Sequence, residues 1–433
     1  MSEISALDGR AQDRPGDRPV TGADEVVRTY SRLGRAFWRY WVASTVSRAG
    51  DAVTAVALPL IAVLSLRASS LEVSLITAAS YAAWLIMGLP AGVLVQRLPL
   101  RGTQVAMDMT RALAVASIPV AALLGDLRLA QLVVVAFIVG IASVIFDVGN
   151  STFLPSIVSK DELKSRNSLI SASSAVTQLG GPSLGGGLVQ AIGGPASLLV
   201  DVASYVLSAA LLHGIPRPAL SRRLAPGESL AGQIRDGWRF IVRHPVIRPC
   251  VAAATLVNFG AGAFIAVTPV FLVRKLGAPA ALVGLLMAAD GLGSLLGAML
   301  TPWLSARAGD ARAMLLGTSA GAVLAALIPL SFREWGLLLY VPGVTGFAMG
   351  VMVLSILTRT HRQTVTPPEL LPRVMATVRF VSWGAVPAGA MAAGLTAEGL
   401  GPRAGLWLVC AAAAAAALSL AASPPLRQRN FDG

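Results

Sequence analysis

Apolar residues in this chain come in long runs separated by short polar stretches. Twelve of these runs approach the ~20 mostly apolar residues that a membrane-spanning helix needs. They cover roughly 40–64, 72–95, 103–124, 129–150, 167–190, 195–213, 249–273, 281–304, 312–332, 335–357, 373–397 and 404–422. Several are broken by Gly or Pro, among them at Pro90, Pro119, Pro182, Pro269 and Pro387. Membrane helices tolerate proline because neighbouring helices satisfy the freed backbone groups. No segment alternates apolar and polar residues with period two over ~10 positions, as a lipid-facing barrel strand would. The pattern predicts an all-α membrane protein with twelve transmembrane helices.

The polar stretches divide the chain. Residues 1–36 are rich in Asp, Arg, Pro and Gly and read as a disordered tail without a signal-peptide core. A six-helix half is expected over 37–213, a linker over 214–248, a second six-helix half over 249–422 and a short tail over 423–433. Within the linker, Ile234, Trp238 and Ile241 fall on one helical face. This stretch reads as an amphipathic helix lying on the membrane surface, with Arg235, Arg239 and Arg243 toward lipid phosphate or simply toward water.

Composition narrows the class. Of 433 residues 55% are hydrophobic and 13% charged, against about 25% charged in soluble domains. A soluble, disordered or collagen-like chain is thereby excluded. Two cysteines, Cys250 and Cys410, make neither a disulfide framework nor a zinc site, and His213, His244 and His361 lack metal-ligand spacing. The net charge of +13 first points to nucleic acid, but its placement gives another reading. With the N-terminus inside, 26 of the 35 Lys and Arg residues fall on inner segments and 6 on outer loops. By the positive-inside rule both termini are cytoplasmic. No nucleic-acid partner, cofactor or metal is expected.

The two halves share a pattern. Residues 160–169 (KDELKSRNSL) precede 367–376 (PPELLPRVMA) by 207 positions, matching Glu162 with Glu369, Leu163 with Leu370 and Arg166 with Arg373. Gly187 meets Gly394 at the same offset, and Arg97 and Arg101 echo Arg307 and Arg312 more loosely. Parallel halves joined by a long loop are a transporter architecture.

Three local patterns then carry a resemblance. GVLVQRLPLRG, from Gly92 to Gly102, is similar to the Gly-x-x-x-Asp-Arg-x-x-Arg-Arg loop of the major facilitator superfamily, with Gln96 where that pattern has Asp. LGGPSLGGGL, from Leu179 to Leu188, resembles its Gly-Pro-x-x-Gly-Gly antiporter motif, with Gly181, Pro182, Gly185 and Gly186 at the matching positions. FDVGNSTFLPSIVSKDELKSRNSL, from Phe146 to Leu169, is similar to the exporter-like branch that includes macrolide-efflux and siderophore-export proteins. The resemblance implies a monomeric, proton-coupled efflux transporter of an amphipathic small molecule in the plasma membrane. A nutrient importer or facilitator of the same fold is the alternative, and a transport-inactive receptor is one of another class. An enzyme is not expected, since GxxxxGK[ST], HExxH and GxSxG motifs are absent.

Charges inside membrane helices cost roughly 2.5–3.5 kcal/mol on insertion scales, so each is a candidate for mechanism. Arg48 and Asp51 lie three residues apart near mid-membrane and share a helix face. They read as either a coupling pair, in which a proton displaces the arginine, or a static ion pair. Asp290, with Arg379 as partner, is the second candidate for coupling or substrate charge. A cytoplasmic gate is assigned to Gly92, Arg97, Arg101, Asp108, Arg111 and Asp147, with Asp108 and Arg111, three residues apart, reading as part of that gate or as a structural pair, and Asp147 taking an arginine of the loop in place of the missing Asp. Asp201 reads as a satisfied polar group. Tyr81, Trp84, Phe146, Asn258 and Trp383 are candidates to line a substrate cavity.

Overall fold

Long apolar stretches become helices here because a bilayer offers the backbone no other hydrogen-bond partners. The computed structural model describes residues 22–88, 90–158, 162–216, 230–367 and 370–424. The first half comprises α1 (Gly22–Leu64), α2 (Ser70–Met87), the short α3 (Pro90–Arg97), α4 (Leu100–Leu123), α5 (Leu129–Ile157), α6 (Leu163–Ile192) and α7 (Gly194–His213). The linker contributes α8 (Leu230–Arg243). The second half comprises α9 (Ile247–Val270), α10 (Ala280–Met287), α11 (Ala289–Ala308), α12 (Asp310–Ala325), the single-turn α13 (Leu327–Leu330), α14 (Leu337–Val365), α15 (Leu371–Leu400) and α16 (Pro402–Ala421). In membrane terms α10 and α11 form one span, as do α12 and α13.

Among the described residues, eleven helical segments are long and apolar enough to cross a membrane. The twelfth member of the bundle is α6, 30 residues long but rich in Ser and Gly. Its hydropathy falls short because its small residues serve helix contacts rather than lipid. The backbone is helical from Gly22, so α1 reaches into the stretch expected to be disordered, while residues 1–21 lie outside the described part.

Local chemistry sets the breaks. Ser69 caps α2: its Oγ accepts from the Glu72 amide at 3.3 Å, and Glu72 Oε2 accepts from the Ser69 amide at 2.7 Å, a capping box. Gly193 separates α6 from α7 at φ +85°, and Gly401 separates α15 from α16 at φ +89°. Both turns need a left-handed backbone that costs glycine little. They stand 208 positions apart, so the internal repeat includes a turn geometry as well as side chains.

Each half closes on itself, α1 and α4 packing on α7 in the first and α9 on α15 and α16 in the second. The halves meet through α2 against α15 and α6 against α10. The α6–α10 contact and the Leu71 end of the α2–α15 contact lie at the end of the bundle away from the termini and the linker, here called the far end. There the Leu71 amide donates to Glu398 Oε2 at 3.4 Å, and Arg274 donates to the Ala68 carbonyl.

The linker helix α8 docks on α15 rather than resting free. Asp236 pairs with Arg373 at 3.1 Å, Ile241 is buried, and a Cβ on Gly237 would meet the Arg373 carbonyl carbon at 3.0 Å. Arg235, Arg239 and Arg243 are exposed, while the Ile234 side chain lies outside the described part. The repeat positions therefore serve different ends. Arg373 anchors α8, whereas Arg166 pairs with Glu162 at 3.0 Å and lies over the Phe37 ring at 4.4 Å. Glu369 lies outside the described residues.

Candidate functional site

A charge buried in a membrane helix must find its partner on another helix or on its own face. Arg111, on α4, is 1% exposed and lies between the rings of Phe146 and Tyr205, at 4.3 and 4.5 Å from their centroids. Its guanidinium pairs with Asp108 one turn back, donates to Asp51 Oδ1 at 3.4 Å and to Ser47 Oγ at 3.4 Å. The Tyr205 hydroxyl donates to the same Asp51 oxygen at 2.5 Å. One helical turn toward the far end, Thr54 donates to Asp201 Oδ2 and Ser204 Oγ donates to Asp201 Oδ1 at 3.0 Å. Three helices, α1, α4 and α7, thus gather three carboxylates around one arginine. Asp108 and Asp201 are 0% exposed, whereas the Asp51 side chain is 38% exposed. Asp108 Oδ2 and Arg111 Nε are buried without hydrogen-bond partners, so the cluster can change its bonding.

The arrangement corrects two expectations. Asp51 does not pair with Arg48, although the two share a helix face. Arg48 donates instead to Ser174 Oγ on α6 at 3.3 Å, because α6 is the neighbour on its side of α1. Asp108 and Arg111 form the i,i+3 pair that their spacing offers, but the pair does not stand by itself near the helix end. Arg111 lies about 17 Å along α4 at ~1.5 Å per residue, level with Asp51, and belongs to the buried cluster. Asp201 is hydrogen-bonded by Thr54 and Ser204, as expected of a satisfied polar group, and lies one helical turn from the Arg111 pairs.

The expected gate disperses in other ways too. Arg101 donates to the carbonyls of His213 and Ile215, at 3.1 and 2.8 Å, at the C-terminal end of α7. A cation suits that end, where carbonyls lack helical partners. Arg101 is therefore not the partner of Asp147. Gly92 and Arg97 lie in α3, with their side chains outside the described part.

The second feature is a cavity of about 990 Å³ between the halves, running toward the linker end. Trp84 and Asp147 come from the first half, and Asn258, Arg359, Arg362, Arg379 and Trp383 from the second. Trp84 and Trp383 pack at 4.8 Å between centroids, with the Arg379 guanidinium 4.9 and 5.2 Å from their rings. Tyr81 and Phe146 do not line this cavity, since Phe146 is buried under Arg111. Asp290 and Arg379 do not pair. Asp290 lies on α11, about 15 Å nearer the far end than Arg379 at ~1.5 Å per residue, and Arg379 faces the tryptophans. Among the described residues no group of side chains has a metal-binding arrangement, although His244 and His361 come within 5.9 Å, ring to ring.

The glycines of α6 lie against backbone. A Cβ on Gly185 would meet Val53 Cα at 3.1 Å, and one on Gly186 would meet Gly284 Cα at 2.8 Å and its nitrogen at 2.9 Å. Pro182 faces Gly284 through its carbonyl oxygen. These contacts bring α6 and α10 into backbone contact and help close the far end. Gly186→Val is expected to wedge that end open. The check is faster labelling of a Leu71→Cys reporter by a membrane-impermeant maleimide applied at the far end.

Comparison with known proteins agrees with this architecture. The model of the transmembrane secretion effector family, a branch of the major facilitator superfamily, matches residues 29–432. The chain is 28% identical to the multidrug efflux pump Tap of Mycolicibacterium fortuitum over 83% of its length and 88% of that protein. It is 22% identical to the uncharacterized MFS-type transporter YvqJ of Bacillus subtilis (strain 168), over 68% and 70% of the two chains. In fold it is similar to the nucleoside transporter NupG, with a TM-score of 0.71 at 12% identity, covering 91% of this chain and 99% of that one. A bacterial homologue of the iron transporter ferroportin, solved in an inward-facing state, gives 0.69 at 17% identity, covering 90% and 98%. A twelve-helix bundle of two halves, closed at one end by glycine contacts and holding a cavity between them, therefore goes with a family match over nearly its whole length: this chain belongs to the transmembrane secretion effector family of major facilitator transporters.

Proposed function

We propose that the protein exports an amphipathic small molecule across the plasma membrane in exchange for protons, as a monomer working by alternating access. The observation that carries this reading is the cluster of Asp51, Asp108 and Asp201 around Arg111. One arginine is shared between Asp51 and Asp108, with Asp201 hydrogen-bonded by Thr54 and Ser204 beside them, and the half-exposed Asp51 is the carboxylate proposed to exchange its arginine for a proton. The positive-inside bias puts the linker end in the cytoplasm, so the cavity faces the side from which an exporter loads. The name of its relative Tap, a multidrug efflux pump, supports export at the family level.

In this cycle substrate enters the cavity while the far end is shut by α6 and α10. The halves rock, the far end opens and substrate leaves. A proton reaching Asp51 from outside loosens its hold on Arg111 and Tyr205, and the return swing delivers that proton to the cytoplasm. Since Asp51 is on the first half and most of the cavity wall is on the second, coupling passes through the relative position of the halves.

The test uses the full chain in liposomes with an imposed pH gradient and a panel of fluorescent dyes. Accumulation against the dye gradient, abolished by a protonophore, is the expected result. Movement that ignores the pH gradient would overturn antiport and favour a facilitator.

A further inference from the structure

Three arginines and one aspartate make up the charge on the cavity wall. Arg359 is within electrostatic reach of both Arg362 and Arg379. Among the described residues no side-chain hydrogen bond or ion pair within 4.0 Å is made by any of the three, and Asp147, within electrostatic reach of Arg379, is the only acidic residue on the wall. Positive charge near a cytoplasmic mouth is ordinary where the side chain reaches water. Arg362 does not fit that account. It is 8% exposed, lines the cavity, and its Nε is buried without a partner. A buried guanidinium with free donors is costly unless an acceptor meets it, and carboxylates and phosphates match its planar fork.

Beside these cations lies a surface for an apolar body. Trp84 comes from one half and Trp383 from the other, so a ligand resting there touches both. Arg379 already lies against this aromatic pair, which puts a positive charge next to the rings. A cavity of about 990 Å³ is at the upper end of the range for drug-sized ligands.

We infer that the cavity binds organic anions, with a carboxylate or phosphate held by Arg362 and Arg379 and a flat apolar body resting on Trp84 and Trp383. This inference rests on the transport reading above and narrows its substrate class from amphipathic molecules in general to anionic ones. Arg359, exposed at the mouth, draws the anion in but is screened by water. A cation of the same shape meets three like charges.

The test compares two dyes built on one tricyclic ring system: carboxyfluorescein, an anion, and rhodamine 123, a cation. The full-length protein is held in nanodiscs of neutral phosphatidylcholine, without any gradient, and binding is read by fluorescence polarisation. Carboxyfluorescein is expected to bind at least about tenfold tighter than rhodamine 123, and Arg362→Gln or Arg379→Gln to weaken it about tenfold, the size of one charge-assisted hydrogen bond. Arg379→Lys keeps the charge and recovers part of the loss, which separates an electrostatic role from a folding defect. Equal or tighter binding of rhodamine 123, or unchanged anion binding in the Arg362→Gln/Arg379→Gln double variant, overturns the inference. Because no gradient is present, anion binding without gradient-driven uptake would leave the site standing and remove the antiport reading. Gradient-driven uptake of rhodamine 123 alone would do the reverse.

Discussion

Asp51→Asn abolishes accumulation of dye against its gradient while downhill exchange and binding persist. Asn keeps the shape of the side chain and can still accept from the Tyr205 hydroxyl, which lies 2.5 Å from Asp51 Oδ1. It carries no charge to hold Arg111 and takes up no proton. Arg111 keeps its pairing with Asp108 and its stacking between Phe146 and Tyr205, so the fold survives. The loss is therefore specific to coupling. Energised accumulation falls to the level reached without a pH gradient, about tenfold or more, as when a group acting in an essential step is removed. The change in stability stays near 1 kcal/mol, the scale of one hydrogen bond. Both are read on one preparation, by the liposome assay and by thermal unfolding in detergent. A variant that still couples fully would move the proton site elsewhere.

Arg111→Gln has the larger effect on the protein itself. Its guanidinium is 1% exposed and is the cation of the cluster, paired with Asp108 and Asp51 and bonded to Ser47. Removing one partner of a buried ion pair costs about 3–5 kcal/mol, because the other charge stays buried without compensation. Here the fully buried Asp108, and Asp51, are left without it. Low yield, a lower unfolding temperature and no transport are expected. Arg111→Lys recovers little, since an ammonium neither forks between two carboxylates nor stacks between two rings in the same way. Adding Asp108→Asn to Arg111→Gln removes one stranded charge and raises the unfolding temperature again without restoring coupling. If the single variant were as stable as the parent protein, the cluster would not be the buried charge network described here.

Much of the architecture was readable along the chain. A span of ~20 apolar residues is imposed by bilayer thickness, so spans such as 195–213 and 404–422 agree closely with α7 and α16. The serine- and glycine-rich α6 was found by its length and motif, although its hydropathy is too low for a spanning criterion. The run 72–95 is interrupted where its proline stands, α3 beginning at Pro90, a residue suited to the first turn of a helix. Polar composition alone does not mark where the first helix begins, since α1 extends back to Gly22 within the polar stretch.

The candidate site is legible in the sequence as a set of residues, but of its pairs only the local one, Asp108 with Arg111 three residues on, is legible too. Asp51, Asp108, Arg111, Asp290 and Arg379 all stand out because charge is costly in a membrane. Reading them by local spacing joined Arg48 to Asp51, and Asp290 was joined to Arg379. Neither pair forms. Arg111 reaches Asp51 across 60 positions of sequence, and Arg379 turns to two tryptophans from opposite halves. A helix surrounded by others presents each face to a different neighbour, and its own sequence does not say which neighbour stands there. Hydrophobicity and charge bias, summed over many residues, are sufficient for the class, the spans and the expected orientation. The partners of each buried charge depend on angstrom-scale packing between helices far apart in sequence. It is that packing which separates a three-carboxylate cluster in one half from an arginine-lined cavity between the two.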